Sequence, residues 1–210
     1  PQVEAAFISM NADTGAILSL VGGFDFRRNQ FNHVTQAQRQ PGSSFKPFIY
    51  AAAIEKGFSP STMVNDAPLS IGSMETGSQA WEPKNYDGKY EGMMRLRIAL
   101  AKSKNLVSIR LIRAIGPSYA QEYIQRFGFE AEKHPPYLTM ALGAGTVAPL
   151  QMASAYSVFA NGGYRVDPYL INKMTDSKGT VLFEAKPTHA HEDATRVLDA
   201  RTAFVIDSML

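Results

Sequence analysis

Ser43 and Lys46 stand three residues apart at the head of an apolar run, in the stretch RQPGSSFKPFIYAAAIEKG (Arg39–Gly57). On a helix, residues i and i+3 share a face. In a first turn the helix dipole is positive, which lowers the pKa of a lysine and favours an oxyanion nearby. A desolvated lysine beside a serine hydroxyl can act as its general base, so the pair could form an acylatable nucleophile. The plainer account is a serine cap followed by a solvated lysine, and about one Ser-x-x-Lys match is expected by chance in a chain of this length. This match is the single one in the sequence, and its lysine falls on a buried-looking helix where a casual lysine is unexpected. Ser103-Lys104-Asn105 offers a second group: a hydroxyl able to relay a proton and an amide that both donates and accepts. Ser and Asn are also ordinary helix-junction residues. Ser9-Met10-Asn11 repeats the pattern on the first hairpin, upstream of the nucleophile candidate, and is set aside.

The elements that must hold these groups follow from periodicity. A helix fits Ser43 to Lys56, with Phe45, Phe48, Ile49, Ala52 and Ala53 on the helical period. Pro47 is tolerated only in a first turn, which sets the start at Gly42–Ser44, and Gly57 suits the C-terminal cap. Because Lys46 precedes a proline, its helical conformation is disfavoured and local strain is expected. Arg95 to Gly116 reads as helical on both sides of a break near Ser103–Asn105. Pro117 to Phe127 is a further short helix. Thr146 is placed to cap a helix ending at Asn161-Gly162-Gly163, and Asp199 to cap a last one, ARTAFVIDSML. Two hairpins complete the pattern. One turns at Asn11–Gly15; the other turns at Asp176–Gly179, between Tyr169–Thr175 and Thr180–Ala185. Residues 58–94 are loop-rich, and Pro187–Thr195 is linker-like.

Bulk composition narrows the class. The 210 residues are 45% hydrophobic, enough for one domain with a real core. Lysine plus arginine total 21 and aspartate plus glutamate 19, a net charge of +2. That excess is too small to point to nucleic acid or an anionic membrane as the main partner. There are no cysteines, so disulfides and cysteine-ligated metals are excluded. No apolar run approaches the length of a membrane span.

The order Ser-x-x-Lys then Ser-x-Asn, sixty residues from Ser43 to Ser103, is joined by WEPKNYDG, RIALAKSKNLVSIRLI and LGAGTVAPLQMASAYSVFANGGYRV. Together these resemble the transpeptidase domain of bifunctional class A penicillin-binding proteins, over most of Val3–Leu210. Class A β-lactamases fit less well, because they would carry Asp in the middle of the second motif, where this chain has Lys104. The resemblance implies an α+β fold of the β-lactamase/transpeptidase type, an antiparallel sheet flanked by helices. It implies Ser43 as the acylated nucleophile and Lys46 as its base. Ser103 would relay a proton to the leaving D-alanine, and Asn105 would hold substrate and Lys46. The Ser43 backbone N–H would supply one oxyanion donor. Trp81 and Tyr86 would line the cleft as substrate-binding aromatics. The implied partners are a D-Ala-D-Ala stem peptide as donor, an acceptor amine and β-lactams. No metal, organic cofactor or nucleic acid is implied. The expected work is peptidoglycan cross-linking on the periplasmic side of the inner membrane. A β-lactam sensor that is acylated without transfer, or a D,D-carboxypeptidase, stays open as an alternative.

One family feature is missing. The third motif, Lys/His-Thr-Gly, does not occur: Lys178-Gly179-Thr180 has the order wrong, and Asp13-Thr14-Gly15 and Glu75-Thr76-Gly77 lack the cation. The resemblance therefore implies the N-terminal portion of the domain, inactive alone. The last sheet strands would follow, and a membrane helix and glycosyltransferase domain would precede. Two other patterns are set aside. Gly143-Ala-Gly145-Thr-Val-Ala148 imitates a dinucleotide fingerprint, with Asp167 about twenty residues on, but no second βαβ unit follows and a tight packing turn is the better account. His189, His191, Glu192 and Asp193 read as a solvated loop rather than a metal cluster.

Overall fold

The computed structural model describes residues 3–76 and 79–210, with the backbone alone at residues 75 and 76. In chain order come strands β1 (Phe7–Met10) and β2 (Ile17–Val21), helix α1 (Lys46–Glu55), strand β3 (Met63–Asp66), the short helix α2 (Ser73–Thr76) and strand β4 (Gly92–Arg95). Helices α3 (Leu96–Ala101), α4 (Asn105–Ile115), α5 (Pro117–Ile124) and α6 (Pro149–Ala160) follow. The rest comprises β5 (Tyr164–Arg165), β6 (Lys173–Thr175), β7 (Val181–Glu184), β8 (Thr195–Arg196) and helix α7 (Ala200–Asp207). The α+β class expected from the sequence is present. Among the described residues its strands form four antiparallel pairs, β1–β2, β3–β4, β5–β8 and β6–β7. Two compact units result: residues 1–39 with 147–203, and residues 40–146 with 204–210.

In the first unit, local turn chemistry closes both expected hairpins. Asn11 Oδ1 accepts the N–H groups of Asp13 and Thr14 at 2.9 and 3.0 Å. Asp176 Oδ1 accepts those of Lys178 and Thr180, both at 2.8 Å. These are Asx turns, with the side chain standing in for a backbone acceptor. Helix α6 starts at Pro149 with Ala148 in the cap position and no side-chain cap. The cap expected from Thr146 is therefore not made: a proline in the first turn has no N–H to satisfy and fixes φ for the helix. Asp199 does cap α7, its Oδ1 accepting the Arg201 N–H at 2.9 Å. The Arg201 guanidinium bonded to the same carboxyl holds it down at about 2.

The second unit is built on α1. Phe45, Phe48, Ile49, Ala51, Ala52 and Ala53 have no exposed surface, and α1 packs on α4 and α5. Phe45 and Phe48 meet Phe129 with ring centroids 5.0 and 4.9 Å apart, and His134 stacks on Phe45 at 4.9 Å. Such burial anchors the helix by about 1.5–3 kcal/mol per large side chain. One 3-10 turn, Gly42–Phe45, precedes α1, and Gly57 (φ +96°) closes it with its N–H on Ile54 O. Lys46 has φ −55° and ψ −42°, ordinary helical values, so the strain expected before Pro47 does not show in the backbone.

The stretch imitating a dinucleotide fingerprint is a packing turn. Gly143 sits at φ +69°, and a Cβ there would lie 2.2 Å from Gly42 O and 2.6 Å from Gly42 N. Its carbonyl accepts the Gly42 N–H at 3.3 Å. The residue before Ser43 thus rests directly on backbone that has no room for a side chain. Gly143→Ala is expected to cost at least about 2 kcal/mol, from positive-φ strain plus a backbone collision. Urea unfolding of the variant checks this; a change within about 0.5 kcal/mol, the usual range for a neutral surface site, contradicts it.

Candidate active site

Ser43 lies exposed in the 3-10 turn, and Lys46 follows as the first residue of α1. Lys46 is 1% exposed. Its amine donates three hydrogen bonds: to Ser103 O at 2.7 Å, Ser103 Oγ at 3.0 Å and Asn105 Oδ1 at 2.8 Å. Four of the residues selected from sequence thus lie in one unit, and the buried lysine links the first pair to the second. Ser103 occupies the break between α3 and α4 at φ +51°. Among the described residues only His191 shares a positive φ without being glycine. The conformation costs roughly 1–3 kcal/mol and persists where surrounding structure enforces it, often at a functional site. Here it turns both oxygens of Ser103 to one amine.

Burial lowers the Lys46 amine from its ordinary 10.5 to about 8. Among the described residues no carboxylate pairs with it, so no opposite charge offsets the loss of hydration. Lys104, two per cent exposed and one residue from Ser103, has the opposite environment. Burial alone would lower it too. Hydrogen bonds to Asp87 and Glu91, each 3.0 Å from its amine, and the charge of Asp66 at 3.5 Å outweigh burial and hold it above the usual lysine range. Environments that push two like groups apart separate their roles. Lys46 can exchange a proton near neutral pH, whereas Lys104 is a fixed structural cation.

Asn105 is held by both ends of its residue. Its Nδ2 donates to Lys84 O at 3.0 Å, which points Oδ1 at Lys46. Its backbone N–H donates to Asn85 Oδ1 at 2.9 Å. Asn85, Asp66 and Lys84 were not singled out from the sequence. The only signal was their neighbourhood: Lys84 and Asn85 fall inside WEPKNYDG, where an Asn two residues before Asp-Gly reads as turn chemistry. Trp81 is half-buried and exchanges backbone hydrogen bonds with Ile71, both 2.9 Å, while Tyr86 is fully exposed. Both share the loop that grips Asn105, and no hydrogen bond or ring contact joins either to the four residues. Lys178-Gly179-Thr180 forms a hairpin turn. The Glu75-Thr76-Gly77 tripeptide extends outside the described residues. Among the described residues no histidine–carboxylate group is arranged to hold a metal ion, and no helix is long and apolar enough to cross a membrane.

Residues 5–210 match the family model of the penicillin-binding protein transpeptidase domain. The chain belongs to that family. It is 51% identical over 206 residues to penicillin-binding protein 1A of Neisseria flavescens, covering 98% of this chain and 26% of that protein. The chain thus spans about a quarter of the length of the curated relatives it matches. The crystal structure of penicillin-binding protein 1A from Haemophilus influenzae superposes with a TM-score of 0.94 at 41% identity, over 99% of this chain and 34% of that one. Penicillin-binding protein A from M. tuberculosis, solved as an imipenem acyl-enzyme complex, shares the fold at TM-score 0.82 and 19% identity, over 98% of this chain and 56% of that one. The transpeptidase fold read from the motifs is therefore present.

The depressed Lys46 pKa has a consequence for stability. Between about 8, in the folded state, and 10.5, in the unfolded chain, the unfolded state binds the extra proton, so this lysine makes stability rise with pH across that window. Below pH 8 both states are protonated and its contribution is flat. The melting temperature of the transpeptidase domain is expected to gain by about a few degrees on a Lys46→Met variant between pH 8 and 10. A difference between the two proteins that stays constant across that range contradicts the assignment.

Proposed function

We propose that the chain carries the serine acyl-transfer machinery of a peptidoglycan D,D-transpeptidase, which is also the target of β-lactams. The observation that supports this most is the hydrogen-bonded set of Lys46, Ser103 and Asn105 one helical turn from an exposed Ser43. In this reading the neutral Lys46 amine takes the proton from Ser43 Oγ as Oγ attacks the carbonyl of the penultimate D-alanine of a stem peptide. The negative charge develops on the carbonyl oxygen at the N-terminus of the helical segment, where first-turn N–H groups, that of Ser43 among them, lack intrahelical partners. The C–N bond then breaks. Ser103 Oγ gives its proton to the departing D-alanine amine and is resupplied by Lys46 across their 3.0 Å hydrogen bond. An acyl-enzyme ester on Ser43 remains. Attack by an acceptor amine, deprotonated by the same relay in reverse, forms the cross-link and frees Ser43. Asn105, fixed by Lys84 O and Asn85, keeps the amine in place and offers its amide to the donor peptide. Trp81 and Tyr86 would line the donor cleft. The substrate places the work outside the cytoplasmic membrane.

Exposure of the full-length protein to penicillin is expected to give one covalent adduct, mapped by mass spectrometry to Ser43 and abolished by Ser43→Ala. Lys46→Arg keeps a charge but cannot act as a base, and is expected to slow acylation by about 10³-fold or more. Incubation with a donor stem peptide and a D-amino acid acceptor is expected to yield the transfer product. An adduct on Ser44, or one surviving Ser43→Ala, contradicts the assignment. Hydrolysis alone makes the protein a carboxypeptidase, and a stable adduct with no turnover makes it a sensor.

A further inference from the structure

We infer that Asn85 is a positioning residue for this site: its buried amide sets the start of α4 and thereby aims Ser103 and Asn105 at Lys46. The inference rests on the acyl-transfer reading above. Asn85 is 5% exposed, and both halves of its amide are fully used. Oδ1 accepts the N–H of Asn105 at 2.9 Å and of Leu106 at 3.2 Å. Nδ2 donates to Asp66 Oδ1 at 2.6 Å and to Lys89 O at 2.8 Å. One side meets only donors and the other only acceptors, so the amide has a single satisfied orientation. The first N–H groups of a helix need outside acceptors, and α4 receives none from its own cap residue, Lys104. Asn85 supplies the acceptor from twenty residues upstream.

The remaining contacts make this clamp stiff. Asp66, fully buried, holds Nδ2 with one oxygen and accepts the Glu91 N–H with the other at 3.0 Å. The second oxygen also lies 3.5 Å from the Lys104 amine. Lys84 O, adjacent along the chain, takes the Asn105 side chain. The backbone and the amide of Asn105 are thus fixed by neighbouring residues of one loop, and the strained Ser103 is confined between α3 and this pinned helix start. Asp66, Lys84 and Asn85 take no part in the proton transfers proposed above. Their effect passes through the geometry of Lys46, Ser103 and Asn105, where a displacement of an ångström can cost about a hundredfold in rate.

The test follows acylation of the full-length protein by a fluorescent penicillin under single-turnover conditions. This separates pre-covalent affinity from the first-order acylation rate, and that rate is set only by molecules that fold and label. Asn161 provides a matched control. It is a buried amide with the same pattern in the other unit, bonded to Gly163, Tyr164 and Ala12. Asn85→Ala is expected to lower the first-order rate about 10- to 100-fold with pre-covalent affinity within about threefold, whereas Asn161→Ala lowers the melting temperature but leaves the rate within about twofold. Asn85→Asp, which keeps an oxygen facing the two N–H groups but sets a second carboxylate against buried Asp66 and loses both donated hydrogen bonds, is expected to give no recovery. An Asn85→Ala rate within twofold of wild type, or an equal fall in both alanine variants, overturns the inference while the adduct on Ser43 stands. Absence of any Ser43-dependent adduct on the wild-type protein instead overturns the acyl-transfer reading, and this inference with it.

Discussion

Lys46 carries an amine into the interior of its unit with no carboxylate among the described residues to meet it. Three neutral oxygens, two from Ser103 and one from Asn105, take its protons. They satisfy its hydrogen bonds without supplying the charge that would hold the proton on. The rest of the site is arranged around that constraint. Pairing the lysine with an acid would make it another Lys104, stable and chemically inert. Leaving it in water would return it to an ordinary lysine, protonated at neutral pH.

Keeping such a group buried puts demands on its surroundings. The aromatic packing of Phe45 and Phe48 against Phe127, Phe129 and His134 fixes α1, so the lysine does not escape by tilting the helix. Gly143 on Gly42 fixes the turn that carries Ser43. On the other side, the carboxylates around Lys104 and the amide of Asn85 hold the start of α4, and the left-handed Ser103 bridges to α3. Packing, a glycine contact, an ion cluster and backbone strain converge on one nitrogen. This accounts for the local conflicts with helix and turn preference that gather here.

The four central residues were legible because their chemistry is written in type and spacing: a serine and a lysine one turn apart on an apolar helix, and a serine and an asparagine at a helix break. The hairpin turns at Asn11 and Asp176 were legible for the same reason, being made by residues close in sequence. What escaped depends on distant contacts. Lys104 is common in type and revealed its burial only once Asp66, Asp87 and Glu91 were folded around it. Asn85 reads as a turn residue because three of its four partners, on Asp66, Asn105 and Leu106, lie about twenty residues away. Thr146 was misread because capping statistics take no account of Pro149, which starts a helix without help. The proline after Lys46 misled in the other direction: local preference for extended backbone gave way to tertiary burial of α1.

The central claim is that burial, and not a partner, sets the protonation of the amine that activates Ser43. The most direct measurement is the pH dependence of the first-order acylation rate of the full-length protein, taken from pH 6 to pH 10. The rate is expected to rise about tenfold per pH unit at the acid end, bend near pH 8 and level off above, as free Lys46 base accumulates. A rate that is flat across the range, or that continues to rise to pH 10 with no bend, would contradict a lysine base depressed by its buried site.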